Sequence, residues 1–169
     1  QLEEWGVKYH ELILKKPSYD IIIDDKAISA DDWHQSVGRR GFIAGCFDVI
    51  HPGYVKMFED AKNVCDWLIV GLQSDPTIDR PDSHKVKPVQ TLDEREIILS
   101  GIKWVDEIYT YNTEAELYQL LRRLSPDIRI LGSDHAGKPY NGDDLGIDVY
   151  FHERNHDWSS TELKRRIRA

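Results

Sequence analysis

Gly45-Cys46-Phe47-Asp48-Val49-Ile50-His51-Pro52-Gly53-Tyr54 is the stretch on which the fold is decided. Phe42 to Phe47 reads as a buried strand. Gly53 to Val64 reads as a helix, with Tyr54, Phe58, Ala61 and Cys65 on one face at helical spacing. His51 falls where strand becomes helix, Pro52 suits a first helical turn, and Gly53 lets another group approach the backbone closely. A helix starting here aims its free amides beyond the strand end, and such an N-terminus is an anion site. The histidine has two readings: a cap with no ligand, or a donor of a hydrogen bond or a positive charge to phosphate.

Outward from this stretch, strands and helices alternate. Trp67 to Gln73 is a second buried strand, and Asp75 to Pro88, with three prolines, is a long polar loop. Thr91 with Glu94 has the form of a capping box, opening a helix through Gly101. Val105 to Tyr111 is strand-like. Thr113 caps a helix to Leu124, which Ser125-Pro126 stops. Asp127 to Leu131 is a fourth strand ending in Gly132-Ser133-Asp134, and Asp148 to His152 is a fifth. Ser159 caps a last helix to Arg168, with Glu162 three residues on. This order predicts an α/β fold, a Rossmann-like doubly wound parallel sheet of about five strands. Ligands in such sheets bind beyond the carboxyl ends of the strands. Asp48, His51, Asp75, Asp134 and Arg154 all follow strands.

The 169 residues suit one domain with a short appendage, and a hydrophobic content of 40% supports a real core. No apolar run has membrane-spanning length or the look of a secretory signal, which predicts a cytoplasmic chain with no membrane partner. A net charge of −8 argues against general nucleic-acid binding, which needs a basic surface. The basic run Lys164-Arg165-Arg166 with Arg168 is either a solvated helix face near its C-terminal end or a phosphate contact. Cys46 and Cys65 are too far apart for a metal knuckle or redox pair and read as free thiols, and the seven histidines form no close metal-ligand set.

The motif is wider than the opening stretch. Gly45-Cys46-Phe47-Asp48 precedes His51-Pro52-Gly53-Tyr54, and Ser159-Ser160-Thr161 opens the last helix. Glu94-Arg95 is followed by Val105-Asp106-Glu107, and Gly132-Ser133-Asp134 closes the fourth strand. In this order they resemble the signatures of the HxGH nucleotidyltransferases, cytidylyltransferase branch, with glycerol-3-phosphate and phosphoethanolamine cytidylyltransferases closest in pattern. Tyr54 stands where the family has its second histidine. A tyrosine donates one hydrogen bond and carries no positive charge near neutral pH.

The resemblance implies in-line transfer of CMP from CTP to a small phosphorylated alcohol, glycerol 3-phosphate first, without a protein nucleophile. His51 and Lys85 or Lys87 would be catalytic. Gly45, Cys46, Phe47, Gly53, Tyr54, Asp134, Arg154, Ser159, Ser160 and Thr161 would hold the nucleotide, and Asp48 and Arg95 the substrate. Mg²⁺ would accompany the triphosphate, held mostly by phosphate and water oxygens rather than by protein ligands. A homodimer is also implied. Two other readings stand: an adenylyltransferase acting on a sugar- or cofactor-phosphate, and a nucleotide-binding regulatory domain that has lost turnover. From the residues alone, Lys85 and Lys87 also read as solvated loop charges, and Arg95 as a partner of acids on its own helix. His152 and His156 receive no role.

Residues 1–40 form a separate appendage. Lys16-Pro17 before a hydrophobic strand ending in Asp24-Asp25 resembles the C-terminal end of a haloacid-dehalogenase-type phosphatase. The nucleophilic Asp-x-Asp strand of such an enzyme would lie upstream. The first residue is Gln rather than Met, which reads as processing or as a fragment of a bifunctional protein; the segment also reads as a relic used as packing or dimer surface, or as an extra strand and loop on the transferase domain.

Overall fold

A computed structural model describes residues 38–79 and 86–168. The expectations for residues 1–37 and for Lys85 lie outside the described residues. Among them, five strands and four α-helices alternate as expected: β1 (Arg40–Gly45), α1 (Pro52–Ala61), β2 (Trp67–Gln73), α2 (Leu92–Ser100), β3 (Glu107–Tyr111), α3 (Glu114–Leu124), β4 (Ile128–Gly132), β5 (Asp148–His152) and α4 (Ser160–Arg168). Short 3₁₀ turns at Ser133–His135 and Asp143–Leu145 lie between β4 and β5.

The strands form one sheet in the order β3-β2-β1-β4-β5, and every pair is parallel. A parallel sheet buried on both faces needs nearly continuous apolar strands. In β2 six of the seven residues are buried. One face packs Ile43, Phe58, Leu68, Val70, Leu72 and Leu99, and the other packs Phe42, Ile69, Leu117, Leu120 and Leu121. Each large side chain buried here stabilises the fold by about 1.5–3 kcal/mol.

The helix signals read from sequence are physical caps. Thr91 Oγ1 accepts the Glu94 amide and the Glu94 carboxylate accepts the Thr91 amide, a complete capping box. Thr113 accepts the Glu116 amide, and α3 ends at Ser125 in the left-handed region (φ 42°), just before Pro126. At α4 only half of the box forms: Ser159 Oγ accepts the Glu162 amide, while the Glu162 carboxylate pairs with Arg165.

Two strand boundaries differ from expectation. The first strand stops at Gly45 rather than Phe47 because Phe47 has φ 48°, outside the β region. The third begins at Glu107 rather than Val105 because the Asp106 carboxylate takes the Leu68 amide that a strand neighbour would have used. Among the described residues no helix is long and apolar enough to cross a membrane.

Candidate active site

Strand order reverses at β1. From it the chain adds β2 and β3 on one side, then β4 and β5 on the other. Crossovers that diverge in this way open a crevice at the carboxyl end, where ligands bind in open α/β sheets. A cavity of about 290 Å³ lies there. Gly45, Cys46, Phe47, His51, Gly53 and Tyr54 line it from the β1–α1 segment, and Asp134 and Arg154 from the ends of β4 and β5.

The backbone between β1 and α1 turns sharply. Phe47 and Val49 both have left-handed φ, 48° and 54°, which disfavours residues with a Cβ. Packing holds the turn: the Phe47 ring is 1% exposed, with its centroid 5.5 Å from Phe58 and 5.3 Å from Tyr54. The turn delivers His51 to the N-cap of α1.

His51 Nδ1 accepts the Gly53 amide at 3.1 Å. The cap therefore uses one nitrogen, and a neutral ring carries its proton on Nε2. Burial lowers the His51 pKa, and the charges of Arg154 and His156 act in the same direction. The side chain is thus a neutral Nε2–H donor near neutral pH rather than an imidazolium. Its ring stacks on Tyr54 with centroids 4.4 Å apart. Burial raises the Tyr54 pKa, so the phenol stays neutral, and its hydroxyl lies 3.3 Å from Ser160 Oγ. Burial likewise raises the Cys46 thiol against the pull of Arg95.

Two histidines without a role in the sequence reading join the site. His156 lines the cavity, and neither ring nitrogen has a hydrogen-bond partner among the described residues. His152, 7% exposed, places Nδ1 2.7 Å from Asp60 Oδ2 and leaves Nε2 buried and unpartnered. The Asp60 carboxylate also accepts the Tyr150 hydroxyl. Burial works to raise the Asp60 pKa, but hydrogen bonds from His152 and Tyr150 outweigh it and hold the carboxyl low. The signal for both histidines was position: His152 ends β5, and His156 follows it as Arg154 does.

Asp48 and Arg95, which the resemblance would place at the substrate, are both buried and held by partners within the protein. The Asp48 carboxylate is 4% exposed and accepts the Val89 and Gln90 amides at 2.9 and 3.0 Å, while Lys164 pairs with it from α4. Burial would raise its pKa, yet the hydrogen bonds from Lys164, Gln90 and Val89 hold it below the usual range. Ser160 Oγ donates to the Asp48 carbonyl at 2.9 Å, which docks α4 on the β1–α1 turn. Arg95 is 1% exposed and donates to the carbonyls of Cys46, Gln73, Ser74, Gln90 and Thr91. These donors tie the ends of β1 and β2 to the start of α2, and they go to main-chain carbonyls rather than to acids of its own helix. Lys87 is exposed beside Asp75, away from the cavity wall, and Ser159, Ser160 and Thr161 frame the α4 start without lining the cavity.

A family model described as cytidylyltransferase-like matches residues 42–166. The bifunctional protein HldE of Wolinella succinogenes is 32% identical over 140 residues, which cover 83% of this chain and 29% of that protein. HldE of a Nitratiruptor species is 30% identical over 164 residues, 96% of this chain and 35% of that protein. The chain thus spans about a third of the length of these curated relatives. Among solved structures, a lipopolysaccharide core biosynthesis protein from Thermoplasma volcanium has a TM-score of 0.55 at 24% identity, covering 71% of this chain and 99% of that one. Pantothenate synthetase from Thermus thermophilus has a TM-score of 0.57 at 14% identity, covering 78% and 64%. These likenesses agree with the observed fold.

Proposed function

The chain belongs to the cytidylyltransferase-like family of HxGH nucleotidyltransferases, and on that premise we propose that it transfers AMP from ATP to a phosphorylated sugar. Likeness to the bifunctional HldE proteins favours adenylyl transfer to a sugar phosphate over cytidylyl transfer to glycerol 3-phosphate. Transfer of CMP remains the second reading, favoured by the description of the matched family.

The observation that carries the proposal is the convergence on one cavity of the α1 N-terminus, the His51 Nε2–H, Arg154 and Asp134. An oxygen of the acceptor phosphate attacks the α-phosphorus. The bond from α-phosphorus to the bridging oxygen breaks, and pyrophosphate leaves with that electron pair. No protein nucleophile is required, so the residues position the groups and stabilise charge. His51 donates to an α-phosphate oxygen, and the first amides of α1 face the same charge. Arg154 and His156 approach the polyphosphate, with Asp134 on the ribose side. Among the described residues no group of three or more possible metal ligands forms. Mg²⁺ would take most of its oxygens from phosphates and water and would neutralise triphosphate charge.

A homodimer belongs to the same proposal; Ile97 and Ile98 leave apolar surface exposed on α2 for it to cover. Product mass tests the main reading. The full chain is incubated with ATP or CTP and with sugar 1-phosphates or glycerol 3-phosphate. An ADP-sugar supports the proposal, whereas a CDP-alcohol as the sole product refutes it.

A further inference from the structure

His152 takes no part in the steps above. It ends β5, in register beside Gly132 and 7% exposed. Its Nδ1 lies 2.7 Å from Asp60 Oδ2 on α1, and the same carboxylate oxygen accepts the Tyr150 hydroxyl at 2.9 Å. An ionised carboxylate only accepts, so Nδ1 carries the hydrogen and Nε2 of the neutral ring presents a lone pair. That nitrogen is buried and meets no partner among the described residues. A buried polar atom left unpaired weakens a fold and is rare in native proteins, so it calls for a ligand.

The surroundings of the ring say where that ligand lies. His152 lines the nucleotide cavity and also an outer cavity between α1 and β5, whereas Asp60 and Tyr150 line only the outer one. With the Nδ1 edge turned to Asp60, the opposite edge, with Nε2, is the one left for the nucleotide. Asp60 lies in the last turn of α1, about 12 Å along the helix from Pro52. Phosphate belongs at the α1 N-terminus, so the ring that Asp60 holds stands on the nucleoside side. Met57, about one turn before Asp60, gives the same cavity an apolar flank against which a base or a ribose can lie.

We infer that His152 is a specificity-determining residue, set by Asp60, that accepts from a proton donor on the nucleoside half of the nucleotide: the exocyclic amino group of the base or a ribose hydroxyl. The inference rests on the nucleotide-binding reading above, and it holds for adenine and cytosine alike, since both carry an amino group. Asp60 touches no nucleotide. It is a positioning residue that fixes the orientation and tautomer of the ring, and Tyr150 in turn holds Asp60. A base carbonyl in place of the amino group would face the lone pair unfavourably, and a deoxyribose would leave it unpaired. Sites built to hydrogen-bond a substrate discriminate strongly against analogues that lack the matching group.

The test is a calorimetric titration of the full chain with ATP and ITP, with CTP and UTP, and with the 2′-deoxy and 3′-deoxy forms of ATP and CTP. Each of the first two pairs exchanges an amino group for a carbonyl. Inorganic tripolyphosphate probes the phosphate end alone. His152→Phe keeps a planar ring and removes both nitrogens. Asp60→Asn is nearly isosteric and no longer forces the hydrogen onto Nδ1. The parent is expected to bind ATP or CTP about tenfold or more tighter than at least one of its analogues. Both variants should lose that ratio, with tripolyphosphate binding unchanged and Tm within a few degrees of the parent. A ratio lost against ITP or UTP identifies the amino group, and one lost against a deoxy form identifies a hydroxyl. A merely structural Asp60–His152 pair would move Tm and leave the ratio in place. The inference is overturned if the parent binds a nucleotide and all its analogues alike, or if either folded variant keeps the parent's ratio. A parent that binds no nucleoside triphosphate overturns the nucleotide-binding reading itself, and the inference with it.

Discussion

The His156 ring stands over Gly53: a Cβ at residue 53 would lie 2.6 Å from His156 Cε1 and 3.0 Å from His51 Cε1. Two imidazoles therefore meet above the first turn of α1, where a phosphate would sit. Gly53→Ala tests this crowding. Alanine favours helix by up to about 1 kcal/mol over glycine, and the His156 ring can swing away, so the fold should persist. The site should not: nucleotide affinity is expected to fall at least about tenfold while Tm holds or rises, read by calorimetry and thermal melting.

Arg95→Met should act on stability. It removes the guanidinium donor from the carbonyls of Cys46, Gln73, Ser74 and Gln90, while Thr91 keeps the backbone amide of residue 95, and it unties α2 from the ends of β1 and β2. A loss of about 3 kcal/mol or more is expected in urea unfolding. A variant as stable as the parent would overturn the scaffold role.

Asp48→Asn breaks a buried ion pair and leaves Lys164 with no carboxylate at that position. The expected cost is about 3 kcal/mol. The Val89–Gln90 segment should loosen with it, which hydrogen exchange at those two amides would register.

Acid should weaken the fold in two windows. The folded His51 pKa lies below the ordinary value of 6.5. As pH falls below 6.5 the unfolded chain takes up this proton first, so stability drops until the folded pKa is passed; above 6.5 neither state is protonated and the group adds no pH dependence. Asp48 is also depressed, from 3.8. Its contribution is present above that value and is lost as pH falls through the folded pKa. Because His51 works as the neutral donor, the acid limb of kcat/KM that it controls should lie below pH 6.5. Denaturation midpoints and rate profiles between pH 3 and 8 read both effects.

Much of this architecture was legible because local physics carries it. The apolar run of β2 and the caps at Thr91 and Thr113 depend on neighbours in sequence, and each forms as read. The His51-Pro52-Gly53 signature of the β1–α1 turn is local too. What was not legible depends on distant partners. The fate of Arg95 is set by carbonyls of Cys46 and Gln73, far away in the chain, and that of Asp48 by Lys164. The left-handed φ of Phe47 ends a strand that its hydrophobicity would have continued. His156 sits in a loop, where no periodicity shows which way a side chain turns.

The central claim is that the α1 N-terminus with His51 receives the α-phosphate. Pyrophosphate release by His51→Ala against the parent, with ATP and the sugar phosphate that the parent uses, tests it most directly. The account predicts a loss in kcat of about a hundredfold or more, with a Tm within a few degrees of the parent. A variant that releases pyrophosphate at the parent's rate would contradict it.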